Sequence, residues 1–377
     1  MSIEMKEKRS ALHSEYIIDG VQQELTPAEI LNGISLEKNL PREEYVPIAD
    51  ERLDPDLKPS ALDAEQMHYY LAKALSATRG SLPRVFAASL AKGFEARALA
   101  DTLWRRGHFR LGDIGLRAHW HWDASRLGSS ASFYASCEAV GDFTDALGLS
   151  LLSYSYEESE TCRLSFETAL LPTGSSDDIL DELPFHANDP HIEADRAVPA
   201  QIFPDESSWI IFIPFDSCDF RLGGSLLADA LHFASDVAPE TGDADYFMDC
   251  SEIVRELVED GILLAGCTVG DGGLLTTLKR MTVRAGAVIN ISDLKQTYHE
   301  QDVTRILFSE IPGVIIQIRD QDFDYLDAEM LLQDVVFFPL GHPKKDSQDV
   351  IVTETGKSSI ENILDSLIRS QCSEGED

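Results

Sequence analysis

The chain has 377 residues, with 31 Lys and Arg against 66 Asp and Glu, a net charge of −35. Phosphate contacts come mainly from Lys and Arg, so this balance excludes an ordinary nucleic-acid-binding protein and favours attraction to basic protein surfaces. Hydrophobic residues make 44% and aromatics 8% of the chain, which are globular values, and no apolar run approaches the roughly 20 residues of a membrane-spanning helix.

That length accommodates two or three domains or one large layered one. The N-terminus, Met1 to Glu7, has no apolar signal core and carries acids that transit peptides avoid. Six cysteines at 137, 162, 218, 250, 267 and 372 form no CxxC pair, so they read as reduced thiols and not as a zinc ribbon or redox site. These features point to an intracellular protein of the cytoplasm or an organellar matrix.

Residues 1–60 are polar and contain the Pro-bearing stretches Leu40-Pro41-Arg42-Glu43-Glu44-Tyr45 and Leu53 to Pro59, which reads as an arm and linker with a short helix. The segment 61–170 reads as a sheet-and-helix region. Apolar residues recur at helical spacing from Ala61 to Ala77, from Ala87 to Arg106 and from Ser132 to Leu147. Leu149–Leu152 and Arg163–Thr168 carry strand patterns about a polar turn. Residues 171–206 are rich in Asp, Ser, Pro and His, the composition of an acidic surface loop.

From 207 to 345 the pattern alternates. Ser208–Phe215 is a buried strand, followed by helices near 224–235, 247–260 and 273–284, strands at 286–292 and 313–318, a helix near 325–333 and a strand at 335–340. Such alternation predicts a layered α/β or α+β domain. The tail 346–377 is acidic and holds one amphipathic helix, Ile360 to Ile368. The acidic loop and the tail after Lys344 are expected at the surface with little packing.

Two glycine-rich turns each open a predicted helix, Arg221-Leu222-Gly223-Gly224-Ser225 and Gly270-Asp271-Gly272-Gly273-Leu274. Amides at such openings can cradle a phosphate, but a close-packed turn explains both equally, and neither carries a P-loop Lys or a GxGxxG. His186, Asp189, His191 and Glu193 fall in the acidic loop without zinc spacing. His119-Trp120-His121-Trp122 places two His at alternate strand positions, a pattern of packing and surface. No residue is assigned as catalytic, cofactor-binding or metal-ligating, and no cofactor is expected.

Taken together, several segments resemble the phosphoribosylformylglycinamidine synthases (formylglycinamide ribonucleotide amidotransferases) of purine biosynthesis, in the second synthetase half of the single-chain form. Leu40 to Tyr45 is similar to the family's "MPRKxF". Ala118 to Trp122, followed by Tyr134 to Val140, resembles "ANWMW…DACEAM". Arg221 to Ala228 resembles "RLGGTALAQ", Gly270 to Met281 resembles "SDGGLxxxLxEM", and Leu307 to Gly313 resembles "LFAEEPG". The blocks keep family order from about residue 40 to 342. The resemblance implies an AIR synthase-like fold, with a trimmed N-terminal sheet region and then a C-terminal layered α/β domain. It also implies a sheet that a partner half would cover, leaving a lone half with an exposed apolar face.

The departures fall on charged chemistry. The family's "GGKDSLSM" loop corresponds to Leu152 to Glu158, with Ser155 in place of Lys and Tyr156 in place of Asp. Its "LAVGEALTN" helix corresponds to Leu90 to Ala98, with Phe94 and Ala98 at the magnesium-binding positions, although a slip of one residue would restore Glu95. Its "DxSDGG" becomes Thr268-Val269-Gly270-Asp271-Gly272-Gly273, and its "DRSVGGLVAQQQ" has no counterpart. Hard cations need oxygen ligands that these residues do not restore. The resemblance therefore implies a pseudoenzyme, a structural or accessory subunit in a heteromeric assembly. The alternative is a divergent or split ATP-dependent synthase component.

Overall fold

A computed structural model describes residues 10–37, 48–51, 79–107, 109–171, 196–231 and 237–353. The expected helices at 61–77 and 360–368, and His186, Asp189, His191 and Glu193, lie outside the described residues. The chain divides into two units, one from 1–57, 80–95 and 112–186, the other from 58–79, 96–111 and 187–377. The architecture is mixed α/β, as the sequence pattern predicts.

The first unit begins with packed structure where the sequence reads as an arm. Strands β1 (Tyr16–Ile18) and β2 (Val21–Gln22) form a hairpin whose turn, Asp19-Gly20, takes positive φ at both residues. That geometry is what a two-residue hairpin loop demands, and Asp-Gly supplies it cheaply. Helix α1 (Pro27–Ile34) is opened by a capping box between Thr26 and Glu29, and its Ala28 and Leu31 are buried. The elements are too short to show periodicity, which hid them. Strand β3 (Ile48–Glu51) pairs parallel to β1.

The main sheet of this unit has three strands in the order β5-β4-β6: β4 (Ile114–Trp122), β5 (Leu151–Glu158) and β6 (Arg163–Leu170). The last two do not pair with each other; β4 lies between them, parallel to β5 and antiparallel to β6. Alternation sends Leu116, Ala118, Trp120 and Trp122 to the buried side. There helix α3 (Ser129–Ala146) places Phe133 with its ring centroid 6.2 Å from Trp120 and 5.8 Å from Trp122. Large aromatic side chains dominate such a core because each removes about 150–250 Å² from water.

An exposed apolar face, expected of a lone half, is not what β6 presents. Leu164, Phe166 and Thr168 point inward and are buried, while Arg163, Ser165 and Glu167 face solvent. His119 and His121 share that outer face, with His119 Nδ1 2.8 Å from Ser155 Oγ and His121 Nδ1 3.3 Å from Glu157 Oε2. The face is polar because every second residue of these strands is polar.

Helix α2 (Ala87–Asp101), whose residues to 95 are counted in the first unit and the rest in the second, is followed by a 3-10 turn, Thr102–Trp104. In the second unit, six strands take the order β12-β9-β11-β7-β10-β8. These are β7 (Trp209–Pro214), β8 (Leu263–Thr268), β9 (Gly286–Asn290), β10 (Gly313–Ile318), β11 (Phe338–Lys344) and β12 (Val350–Thr353). Strand β10, paired on both sides by β7 and β8, is buried at every position, and full burial of each Ile stabilises by roughly 1.5–3 kcal/mol.

Among the described residues, six helices accompany the sheet. Helix α4 (Leu226–Leu231) follows the first glycine turn and α5 (Ala244–Glu259) is capped by Asp243, which accepts from the Tyr246 amide. Helix α6 (Gly273–Met281) follows the second glycine turn, and α7 (Ser292–Thr297) and α8 (Val303–Phe308) lead into β10. Leu274, Leu278, Leu294, Ile306 and Phe308 close a core with Phe212, Ile289 and Ile315. A sixth helix, α9 (Phe323–Leu332), stands after β10.

Two surface expectations fail locally. Val350 and Val352 of β12 are buried in the sheet, so residues just past Lys344 pack. Val198 and Ile202 are buried as well, so the C-terminal end of the acidic segment joins the second unit. In both places short alternating Val and Ile supply anchors that bulk composition conceals.

Candidate functional site

The second unit brings both glycine-rich turns onto one carboxylate. Glu310 follows the C-terminus of α8 and is 5% exposed. Its Oε1 accepts the Leu226 amide at 2.6 Å and the Gly272 amide at 2.8 Å. Its Oε2 accepts Arg79 Nη2 at 2.6 Å and Arg97 Nη2 at 3.0 Å. Amides at helix openings attract anions, and the anion held here is the protein's own.

Asp271 completes a four-charge cluster. Its Oδ1 accepts Arg97 Nη1 at 2.8 Å and Arg79 Nη2 at 3.2 Å, while Arg79 Nη1 donates to the Gly224 carbonyl at 2.5 Å. Burial acts to raise the Asp271 carboxyl, but the two guanidiniums outweigh it and hold it below the usual Asp range. Burial acts to lower Arg79, yet Glu310 and Asp271 hold it firmly protonated. Two guanidiniums thus face the Asp271 and Glu310 carboxylates, and Asp229 adds a weaker attraction on Arg79. Breaking one member would strand a buried charge, which costs about 3–5 kcal/mol.

The second turn itself is close-packed. Gly273 has φ +72°, and a Cβ there would lie 2.6 Å from the Ser309 carbonyl oxygen and 2.7 Å from the Phe308 carbonyl carbon. Thr277 Oγ1 donates to the Gly273 carbonyl at 2.9 Å and accepts the Gly270 amide at 3.2 Å. Glycine is therefore required by backbone conformation and by approach of the 307–309 segment.

Positions that depart from the family pattern have structural partners. Thr268 Oγ1 accepts Trp104 Nε1 at 2.9 Å. Asp101 also bonds Thr268, and burial pushes its carboxyl up to about 6, partly offset by that bond, Arg196 and Arg97. In the first unit, the Tyr156 ring packs 4.8 Å from Phe133, and Ser155 meets His119. Glu95, the residue a one-position slip would place at a magnesium ligand, is fully buried, and its Oε1 accepts Thr144 Oγ1 at 2.6 Å. Burial pushes that carboxyl up to about 8, eased by Thr144 and Lys92. Among the described residues, no three His, Cys, Asp or Glu side chains are grouped as a metal site requires, and no helix is long and apolar enough to cross a membrane.

Sequence reasoning placed Asp271 and both glycine turns but missed Arg79, Arg97 and Glu310 as their partners. Arg97 lies in the same helix as Glu95, and Glu310 lies in the quoted Leu307–Gly313 block, yet nothing in the spacing joins residues 79, 97, 271 and 310.

No protein-family model matches the chain. Human phosphoribosylformylglycinamidine synthase is 26% identical over 212 residues, covering 56% of this chain and 15% of the human protein. This chain therefore corresponds to a small part of that relative's length. Thermotoga maritima PurL, solved in complex with FGAR, aligns with a TM-score of 0.51 at 13% identity, over 75% of this chain and 44% of PurL. The same protein in complex with ATP aligns at 0.47 and 12% identity, over 72% and 39%. The chain is thus similar in sequence to phosphoribosylformylglycinamidine synthase and shares the α/β fold of T. maritima PurL.

Proposed function

We propose that this chain is a catalytically inactive relative of phosphoribosylformylglycinamidine synthase, acting as a structural or accessory subunit of a heteromeric intracellular assembly. The observation that carries this reading is the closed Arg79–Arg97–Asp271–Glu310 cluster. The carboxylates at the glycine turns already hold two fixed cations, and Glu310 already accepts one amide at each helix opening. A magnesium-bound phosphate brought there would have to displace guanidiniums held by charge-assisted bonds. Ser155, Tyr156, Thr268 and Gly270 support the same reading, since none can supply the charge of the residues they replace.

The alternative, a divergent or split ATP-dependent component of the synthase, is favoured by the retention of Asp271, whose side chain is 31% exposed. Incubating the purified chain with formylglycinamide ribonucleotide, magnesium-ATP and either glutamine or ammonia separates the two. The proposal expects no product. Slow turnover abolished by Asp271→Asn would overturn it and establish the alternative.

A further inference from the structure

Helix α9 turns large apolar side chains to water. Its sequence, Phe-Asp-Tyr-Leu-Asp-Ala-Glu-Met-Leu-Leu, sets seven apolar residues among three acids. Leu326 and Met330 face the protein and are buried, but Leu331 is 79% and Leu332 78% exposed. Tyr325 and, just past the helix, Val336 are also exposed. Single exposed leucines are ordinary, whereas two adjacent leucines each nearly four-fifths exposed, with Tyr325 and Val336 exposed as well, mark an interaction surface.

The helix rests on a firm base. Phe323 packs 5.2 Å from Trp209 and 6.1 Å from Phe337, and Trp209 in turn lies 4.1 Å from His342, all measured between ring centroids. At the other end Met330 and Val335 are buried and the Val335 amide donates to the Met330 carbonyl at 2.9 Å, so the exposed leucines stand on an anchored terminus.

Charge selects the occupant. From residue 319 to 336 the chain carries six acids and a single cation, Arg319, which lies 3.7 Å from Asp322 Oδ2. No basic residue stands in the last turn of α9, so its C-terminal carbonyls add to the negative field beside the leucines. A second copy would set these acids against themselves under a net charge of −35. The chain's own residues 354–377 have an apolar stripe at Ile360, Ile363, Leu364, Leu367 and Ile368, but carry six acids against two cations.

We propose that the outer face of α9, centred on Leu331 and Leu332, docks a basic amphipathic segment of a different protein. The leucines would enter the partner's apolar stripe while Asp324, Asp327 and Asp334 meet its Lys and Arg. This names the partner class for the accessory-subunit reading and rests on that reading. The steering contribution weakens with salt, and the apolar contact does not.

The test uses the full chain and two synthetic amphipathic peptides with identical leucine spacing, one with lysine and one with glutamate on the polar face. Fluorescence anisotropy is expected to show the lysine peptide binding more than about ten-fold tighter, with salt-sensitive affinity. The double variant Leu331→Gln, Leu332→Gln, which removes the apolar contact without adding charge, should lose about ten-fold or more of that binding while keeping the parent melting temperature. A photo-crosslinker at position 331 in cells should capture a basic segment of another protein. Equal binding of both peptides, indifference to the double variant, or crosslinks to a second copy or to residues 354–377 would overturn the proposal. Turnover in the synthase assay with intact peptide discrimination would instead overturn the inactivity reading alone.

Discussion

Each unit withdraws one glutamate from water and treats it differently. The first gives Glu95 a hydroxyl, Thr144, at 2.6 Å. The second gives Glu310 two guanidiniums and two backbone amides. Burial pushes the Glu95 carboxyl up to about 8, whereas the second unit surrounds its glutamate with charge-assisted bonds. A resemblance in sequence therefore does not decide whether an acid at a family position still acts as a ligand; its partners do. Glu95 is held as an acid buried between helices, and Glu310 is held as a structural anion.

The largest disturbance should come from Glu310→Ala, which removes the oxygen that Arg79 and Arg97 share beside Asp271 and takes the acceptor from the Leu226 and Gly272 amides. A loss of about 3–5 kcal/mol is expected in urea unfolding. Glu310→Gln should be milder, because its side-chain oxygen can still take an amide. If the alanine variant costs under about 1 kcal/mol, the cluster is not what secures the turns.

Gly273→Ala tests whether the second turn is a packing device. The left-handed conformation and the contact with the Ser309 carbonyl together should cost about 3 kcal/mol. A neutral effect would contradict the close-packed reading.

Glu95 sharpens the comparison through pH. Its folded value of about 8 stands above the unfolded value of 4.5, so its contribution is fully present below about pH 4.5 and is lost as pH rises toward 8. Glu95→Gln should remove that loss, giving a gain of about 4 kcal/mol at pH 8 and almost none at pH 4.5. Asp271 has the opposite sign: held low in the fold, its contribution is present above 3.8 and lost as pH falls through its depressed value. A Glu95→Gln variant with the parent's pH dependence would show that this carboxyl is not held neutral. The smallest effect is expected from Trp104→Phe, which removes the bond to Thr268 while keeping most of the packing, at about 1 kcal/mol in urea unfolding.

Much of this was readable in the chain. Strand β10, helix α3 and helix α6 fall where apolar periodicity puts them, because burial on one face imposes that period. The hairpin at Asp19-Gly20 and the capping box at Thr26 and Glu29 were readable as local signals but were masked by elements too short to repeat. Strand order was not legible: β5 and β6 look like a hairpin across a polar turn, yet β4 lies between them, since pairing depends on distant segments. The charge cluster was hidden for the same reason. Its four members are separated by 18, 174 and 39 residues along the chain, and only the fold makes them neighbours.

The central claim is that Asp271 and Glu310 are already satisfied by Arg79 and Arg97. Thermal unfolding of the full chain with and without magnesium-ATP tests it directly, because a ligand bound only by the native state raises stability by about 2.7 kcal/mol at one hundred times its dissociation constant. An unchanged melting temperature at saturating nucleotide is the predicted result. A dose-dependent rise that Asp271→Asn abolishes would contradict it.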